Sequence, residues 1–232
     1  MNMETSPKMM HSTYFTLPMG SNAMTVAGYI AAAQAGLHLP QFMESFWIGG
    51  LAQDIFRTSS DRTFHISMNQ IFANKDMFDK YAAFDPNSPY IAEVNRWAPG
   101  TSRRVLDSFL SEKLTQPPSP KPAGPGPSMC HSLYFSLTNN STDSIKAFTD
   151  VCLKFLTGFP GLNLFAIGNL ADLGRNVSVN NYDVALNMVW QTETDYNNYE
   201  ASNQHKGFFP ASKGMIKNTY IFDSYIVGTP II

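Results

Sequence analysis

Met10 to Leu17 reads MHSTYFTL, and Cys130 to Leu137 reads CHSLYFSL, with five of the eight positions identical at an offset of 120. The match does not stand alone. Ile48 to Ala52 (IGGLA) returns as Ile167 to Ala171 (IGNLA) at an offset of 119, and Phe78 and Tyr81 return as Tyr196 and Tyr199 at 118. Asp107-Ser108-Phe109 returns as Asp223-Ser224-Tyr225 at 116. Collinear matches with slowly shrinking offsets are the mark of a duplicated unit that has lost a few loop residues. The chain of 232 residues is therefore two diverged copies of one fold.

Between the copies lies Thr115 to Ser128, TQPPSPKPAGPGPS. Proline fixes φ and removes a backbone donor, so this stretch is neither helix nor central strand. An extended tether of this length reaches roughly 40 Å at about 3.1 Å per residue. That is enough to cross a small domain and start a second one beside it. The expected division is a disordered tail over 1–9, a first repeat over 10–114, a linker over 115–128 and a second repeat over 129–232. Met9 and Met10 are read as frayed chain.

The second copy shows the element order more clearly. His131 to Leu137 alternates and is aromatic, which reads as a strand. Ile145, Phe148, Val151, Cys152 and Phe155 recur at helical spacing behind Ser141 or Thr142 as cap, and Gly158 and Pro160-Gly161 end that helix. Leu162 to Leu170 and Tyr182 to Trp190 read as strands, Glu193 to Ala201 as a short helix, and Lys217 to Val227 as a closing strand. The first copy follows with His11 to Leu17, Ala23 to Ala35, Gln41 to Ala52, Thr63 to Phe72, Lys75 to Ala83 and Arg103 to Leu110. The class is α+β, with tandem ferredoxin-like β-α-β-β-α-β repeats. Each repeat puts both helices on one sheet face and leaves the other bare. Two bare faces packed together give a pseudo-dimeric α/β barrel.

Charged residues make up 15% of the chain, below the roughly 25% usual in soluble domains. Aromatics reach 13%, which suits an enclosed apolar space and a plain tight core equally. A net charge of −2 gives no electrostatic case for a nucleic-acid partner. No stretch reaches the roughly 18 apolar residues of a membrane span, and the first residues carry no signal-type apolar run, so the expected compartment is cytoplasmic. Cys130 and Cys152 have no metal-type spacing and read as reduced, buried thiols. No glycine-rich nucleotide loop or metal-ligand cluster is present in the sequence, so neither metal nor cofactor is expected.

The stretch Tyr182 to Phe209, YDVALNMVWQTETDYNNYEASNQHKGFF, resembles the stress-responsive A/B barrel (Dabb) family of the dimeric α/β-barrel group. In that family a strand of the type "DvAlvmeF" leads into "aYxxYxxHPxHxxF". The family's plant olivetolic acid cyclase pairs a Tyr with a His six residues later, and a His on the first strand lines the site. The resemblance implies Tyr199 and His205 as the catalytic pair, six residues apart here, with His131 at the first-strand position. Tyr182, Trp190 and Phe208 are the expected substrate-binding residues. The family's earlier His is absent, replaced within Ala201-Ser202-Asn203. In the first copy Tyr81 is followed six residues on by Asn87, so that copy should lack the pair.

Aldol or Claisen cyclisation needs a base beside a carbonyl and a donor for the developing oxyanion. Histidine can serve as the base at neutral pH and a dry tyrosine as the donor. The resemblance thus implies a cofactor-independent cyclase, or a related isomerase or lyase, acting on an apolar biosynthetic intermediate such as a polyketide. The alternative is a non-catalytic, stress-responsive small-molecule-binding protein, and related barrels also host oxygenases. Each residue also has a plain structural reading. His205 can be a solvated helix end, Tyr199 and Trp190 core aromatics, and His131 and His11 seam residues. Asp223 and Asp107 can be strand-end ties.

Overall fold

The computed structural model describes residues 6–83, 92–93, 96–97, 100–116 and 124–232. Asn87 and the proline-rich stretch 117–123 lie outside the described residues. The first copy comprises β1 (Met9–Thr16), α1 (Ala23–Leu37), β2 (Met43–Leu51), β3 (Ile66–Phe72), α2 (Lys75–Ala82) and β4 (Ser102–Thr115). The second comprises β5 (Met129–Leu137), α3 (Thr142–Leu156), β6 (Leu162–Leu170), β7 (Val184–Trp190), α4 (Glu193–Ala201), α5 (Asn203–Ala211) and β8 (Ile216–Ile226). Side-chain caps open the helices. Asn22, Asn74, Ser141, Thr192 and Ser202 each accept from a backbone N–H three residues on, satisfying donors that a helix start leaves free.

Within each copy the strands run antiparallel, ordered β4-β1-β3-β2 and β8-β5-β7-β6. The two sheets do face each other, as expected, but they are not separate. Their edges pair through β2–β8 and β4–β6, closing one eight-stranded barrel. Closure leaves no free sheet edge to attract another chain. The IG-LA repeat marks the seams. A Cβ on Gly49 would stand 2.1 Å from the carbonyl oxygen of Tyr225 on β8, and one on Gly168 would stand 2.3 Å from that of Phe109 on β4. Only glycine lets the copies approach so closely.

Several boundaries differ from the sequence reading, and the seams explain them. Strand β1 starts at Met9, and Met9 and Met10 are fully buried rather than frayed. Lys8 continues the ladder, its carbonyl accepting from Leu110 N–H. Strand β4 runs past Leu110 to Thr115 because its second half pairs with β6. Helix α5 is an addition to the expected plan.

Alternating side chains build three apolar layers. One lies between the first sheet and α1 and α2, one between the second sheet and α3 to α5, and one fills the barrel. Near the barrel's pseudo-twofold axis the hydroxyls of Tyr14 and Tyr134 meet at 3.1 Å, with Phe222 stacked on Tyr14. Cys130 and Cys152 are free and buried. Among the described residues no helix is long and apolar enough to cross a membrane.

Candidate functional site

Strand parity turns His131 out of the barrel, toward α4, where its ring lies 5.3 Å from that of Tyr196. Its Nδ1–H donates to Asp223 Oδ1 on neighbouring β8 at 2.5 Å. The other oxygen of Asp223 accepts from Arg57 Nη1 at 2.6 Å and from Ser60 at 3.4 Å. Burial alone would push the Asp223 carboxyl up, but His131 and Arg57 together hold it below the usual carboxylate range. Arg57 belongs to the β2–β3 loop of the first copy, so this group is assembled from both copies. The same guanidinium lies 5.3 Å over the Tyr196 ring and 3.6 Å from Glu200 Oε2.

The Ser202 cap starts α5 immediately after α4 and folds His205 back over Tyr199, with ring centroids 4.3 Å apart. His205 is buried, its Nδ1–H donating to Glu200 O at 3.3 Å, while Nε2 lies 4.0 Å from Glu200 Oε1. Burial lowers its pKa below the ordinary histidine value. Glu200 opposes this, and His131 and Arg57 add to the lowering. The imidazole is therefore neutral at pH 7 and can accept a proton. Burial, reinforced by Glu200, raises the Tyr199 hydroxyl well above its ordinary value, so it stays protonated and can donate.

Trp190 and Tyr196 complete the cluster, their rings 6.1 Å apart. Both are fully buried, and neither Trp190 Nε1–H nor the Tyr196 hydroxyl has a hydrogen-bond partner among the described residues. A buried donor left unpaired costs about 1–3 kcal/mol.

The first copy holds the same frame with different chemistry. His11 bonds Asp107 at 2.7 Å, and Arg175, from the β6–β7 loop of the second copy, pairs with the other oxygen of Asp107. The arginines cross reciprocally. Thr13 Oγ1, however, lies 3.2 Å from His11 Nε2 and closes that nitrogen. Leu133 stands at the matching place in β5, and among the described residues nothing bonds His131 Nε2. Phe72 and Phe78 occupy the places of Trp190 and Tyr196, so those two positions offer no donor, and the buried unpaired donor of this frame is Nε of Arg175 itself.

Of the residues expected from sequence, the structure thus brings His131, Trp190, Tyr199 and His205 together. Phe208 lies behind them in the sheet–helix layer, 6.4 Å from Phe135 and 6.1 Å from Phe148. Tyr182 is elsewhere. It turns into the barrel layer, and its hydroxyl donates to Asp107 O at 2.5 Å. Arg57 and Glu200 were not singled out from the sequence, and Tyr196 was noted there only as a repeat position. The signal for the arginines was present, since Arg57 follows Ile48 by nine residues and Arg175 follows Ile167 by eight. A cavity of about 540 Å³ also lies beside the β2–β8 seam, lined by α1 residues such as Val26 and Ile30 and by Leu51, His65 and Tyr225.

Fold and register together define a tandem dimeric α/β barrel. A candidate monooxygenase from Fusobacterium nucleatum shares the whole fold, at TM-score 0.69 and 10% identity over 96% of this chain and 94% of that one. A candidate monooxygenase from Lactobacillus acidophilus NCFM matches at 0.65 and 13% identity, covering 96% and 94%. An anthrone oxidase-like protein matches at 0.59 and 10% identity, covering 97% and 93%. At this level of identity the likeness concerns the fold. No family model matches the sequence, and no curated protein does.

Proposed function

We propose that this chain is a cofactor-independent cyclase of the Dabb type, or a related isomerase or lyase, acting on an apolar, enolisable intermediate such as a polyketide. The observation that carries the reading is the asymmetry between the copies. The second alone leaves its first-strand histidine nitrogen, His131 Nε2, unbonded among the described residues, and there two buried, unpaired donors, Trp190 Nε1–H and Tyr196 O–H, flank the Tyr199–His205 pair. In this reading His205 Nε2 takes a proton from the carbon beside a carbonyl, and the electron pair moves onto the carbonyl oxygen. Tyr199 O–H steadies the resulting enolate, as Tyr196 O–H and Trp190 Nε1–H do if the oxygen reaches them. The enolate carbon attacks a second carbonyl, and His205 returns its proton to the new alkoxide. His131 and Trp190 border the substrate, which enters past Phe209, an exposed ring 5.2 Å from His205. The same deprotonation could instead hand the carbanion to dioxygen, a second reading favoured by the names of the full-length structural relatives.

The test is exchange of the methyl protons of an aryl methyl ketone in D2O, followed by NMR. His205→Ala is expected to lower exchange by about 10²-fold or more. Tyr199→Phe should cost somewhat less, and Tyr81→Phe in the first copy should leave the rate unchanged. A protein that binds the ketone yet exchanges it no faster than buffer refutes the reading in favour of a binding protein.

A further inference from the structure

We propose that Arg57 is a positioning residue of the second copy's site, supplied across the seam by the first copy, which braces Asp223 against His131 and holds Glu200 back from His205. The inference rests on the acid–base reading of that site. Its geometric basis is one guanidinium meeting two carboxylates and one ring. Arg57 is 2.6 Å from Asp223 Oδ2, 3.6 Å from Glu200 Oε2 and 5.3 Å over Tyr196.

Each contact has a separate consequence. Asp223 has two oxygens, and Arg57 engages one, leaving the other aimed at His131 Nδ1. That bond directs the Nδ1 proton and turns Nε2 toward the aromatic cluster. Glu200 likewise has two oxygens, one facing Arg57 and one 4.0 Å from His205 Nε2. A carboxylate that lost its arginine would turn wholly to His205 and favour the imidazolium, which cannot accept a proton. The groups facing His205 are Tyr199 and Glu200 on α4, His131 on β5 with Asp223 behind it, and Arg57. Among the cations in this set, Arg57 keeps its charge at every working pH.

The matching residue argues that the arrangement is built rather than incidental. Arg175 pairs with Asp107 and lies 5.3 Å over Phe78, as Arg57 does with Asp223 and Tyr196. Yet the histidine served by Arg175 is closed by Thr13. One crossing arginine therefore serves an open site and the other a closed one.

The experiment is an NMR titration of the five histidines in the full chain, which requires no substrate. In Arg57→Gln the His205 midpoint should rise by about half a pH unit or more. Arg57→Lys restores the charge and should return it close to the wild-type value, while Arg175→Gln should leave it in place. Glu200→Gln lies away from the seam and keeps the test open if Arg57→Gln does not fold. It should lower the His205 midpoint. An unmoved His205 in folded Arg57→Gln, or in Glu200→Gln, overturns the inference even if the protein is an active enzyme. A His205 that moves as expected in a protein without exchange activity upholds the positioning role and refutes the acid–base reading instead.

Discussion

Replacing Tyr196 by phenylalanine removes one oxygen atom from a fully buried ring and should make the protein more stable. The hydroxyl has no partner among the described residues, so folding strips it of water and returns nothing. The penalty for such a group is about 1–3 kcal/mol, and relief of the lower end of that range gives roughly 1 kcal/mol. For a chain of this size that corresponds to a rise in Tm of about 2–4 °C. The ring itself fits without its hydroxyl, because Phe78 sits in the same position of the first copy under the same kind of arginine. Tyr14→Phe is the matched control. Tyr14 is equally buried, but its hydroxyl is bonded to that of Tyr134 at 3.1 Å, so its loss should cost about 1 kcal/mol. Urea unfolding of both variants at pH 7 reads the two signs side by side. If Tyr196→Phe loses stability as Tyr14→Phe does, its hydroxyl has a partner in solution, and the case for a poised, unpaired donor fails.

Two further outcomes can be checked on the same apparatus. Gly49→Ala and Gly168→Ala should each destabilise by about 1–3 kcal/mol or more, because the new methyl meets backbone rather than a movable side chain. Gly50→Ala, whose methyl would approach nothing closer than 3.8 Å, should change little, and equal effects at the three positions would refute the seam argument. Stability should also fall with acid in two steps. The His205 pKa is lowered on folding, so its contribution is present above about pH 6.5 and lost as pH falls through the folded value. The Asp223 pKa is lowered too, so its contribution is present above about pH 4 and lost as pH falls further. His205→Gln should flatten the first step and Asp223→Asn the second in urea midpoints measured from pH 7 to 3.

The duplicated strand motif made the element order legible, because periodicity and punctuation are local signals. The seams were not legible. Gly49 and Gly168 look like ordinary strand glycines until a strand from the other copy lies against them. Helix α5 carries Gly207 and Pro210, both of low helix propensity; Gly207 is packed so closely that a Cβ there would stand 2.8 Å from Phe155, and Pro210 falls in the final turn. In the site, Tyr199 and His205 were expected from the family resemblance alone, and they sit on adjacent short helices with their ring centroids 4.3 Å apart. Asp223 reads as a strand-end tie from sequence, and it is one, but the group that it ties is His131. The repeat marks Arg57 and Arg175 as equivalent, but it does not name the partners of Arg57, which lie 143 and 166 positions away. Tyr182 precedes β7 and turns to the barrel side, a choice made by its bond to Asp107 of the other copy.

The crossed arginines bear on how such a chain can change over generations. In an assembly of two identical chains, one codon sets both crossing arginines, and every substitution strikes both sites at once. Fusion uncouples them. The loop around Arg175 has only the buried Asp107 carboxylate to serve once Thr13 has closed the histidine behind it, while the loop around Arg57 stays under selection from both the carboxylate and the open site of the opposite copy. The half that looks degenerate by its own histidines thus holds a segment that natural variation should spare, and a survey of tolerated substitutions should find the most constrained loop of the first copy at Arg57.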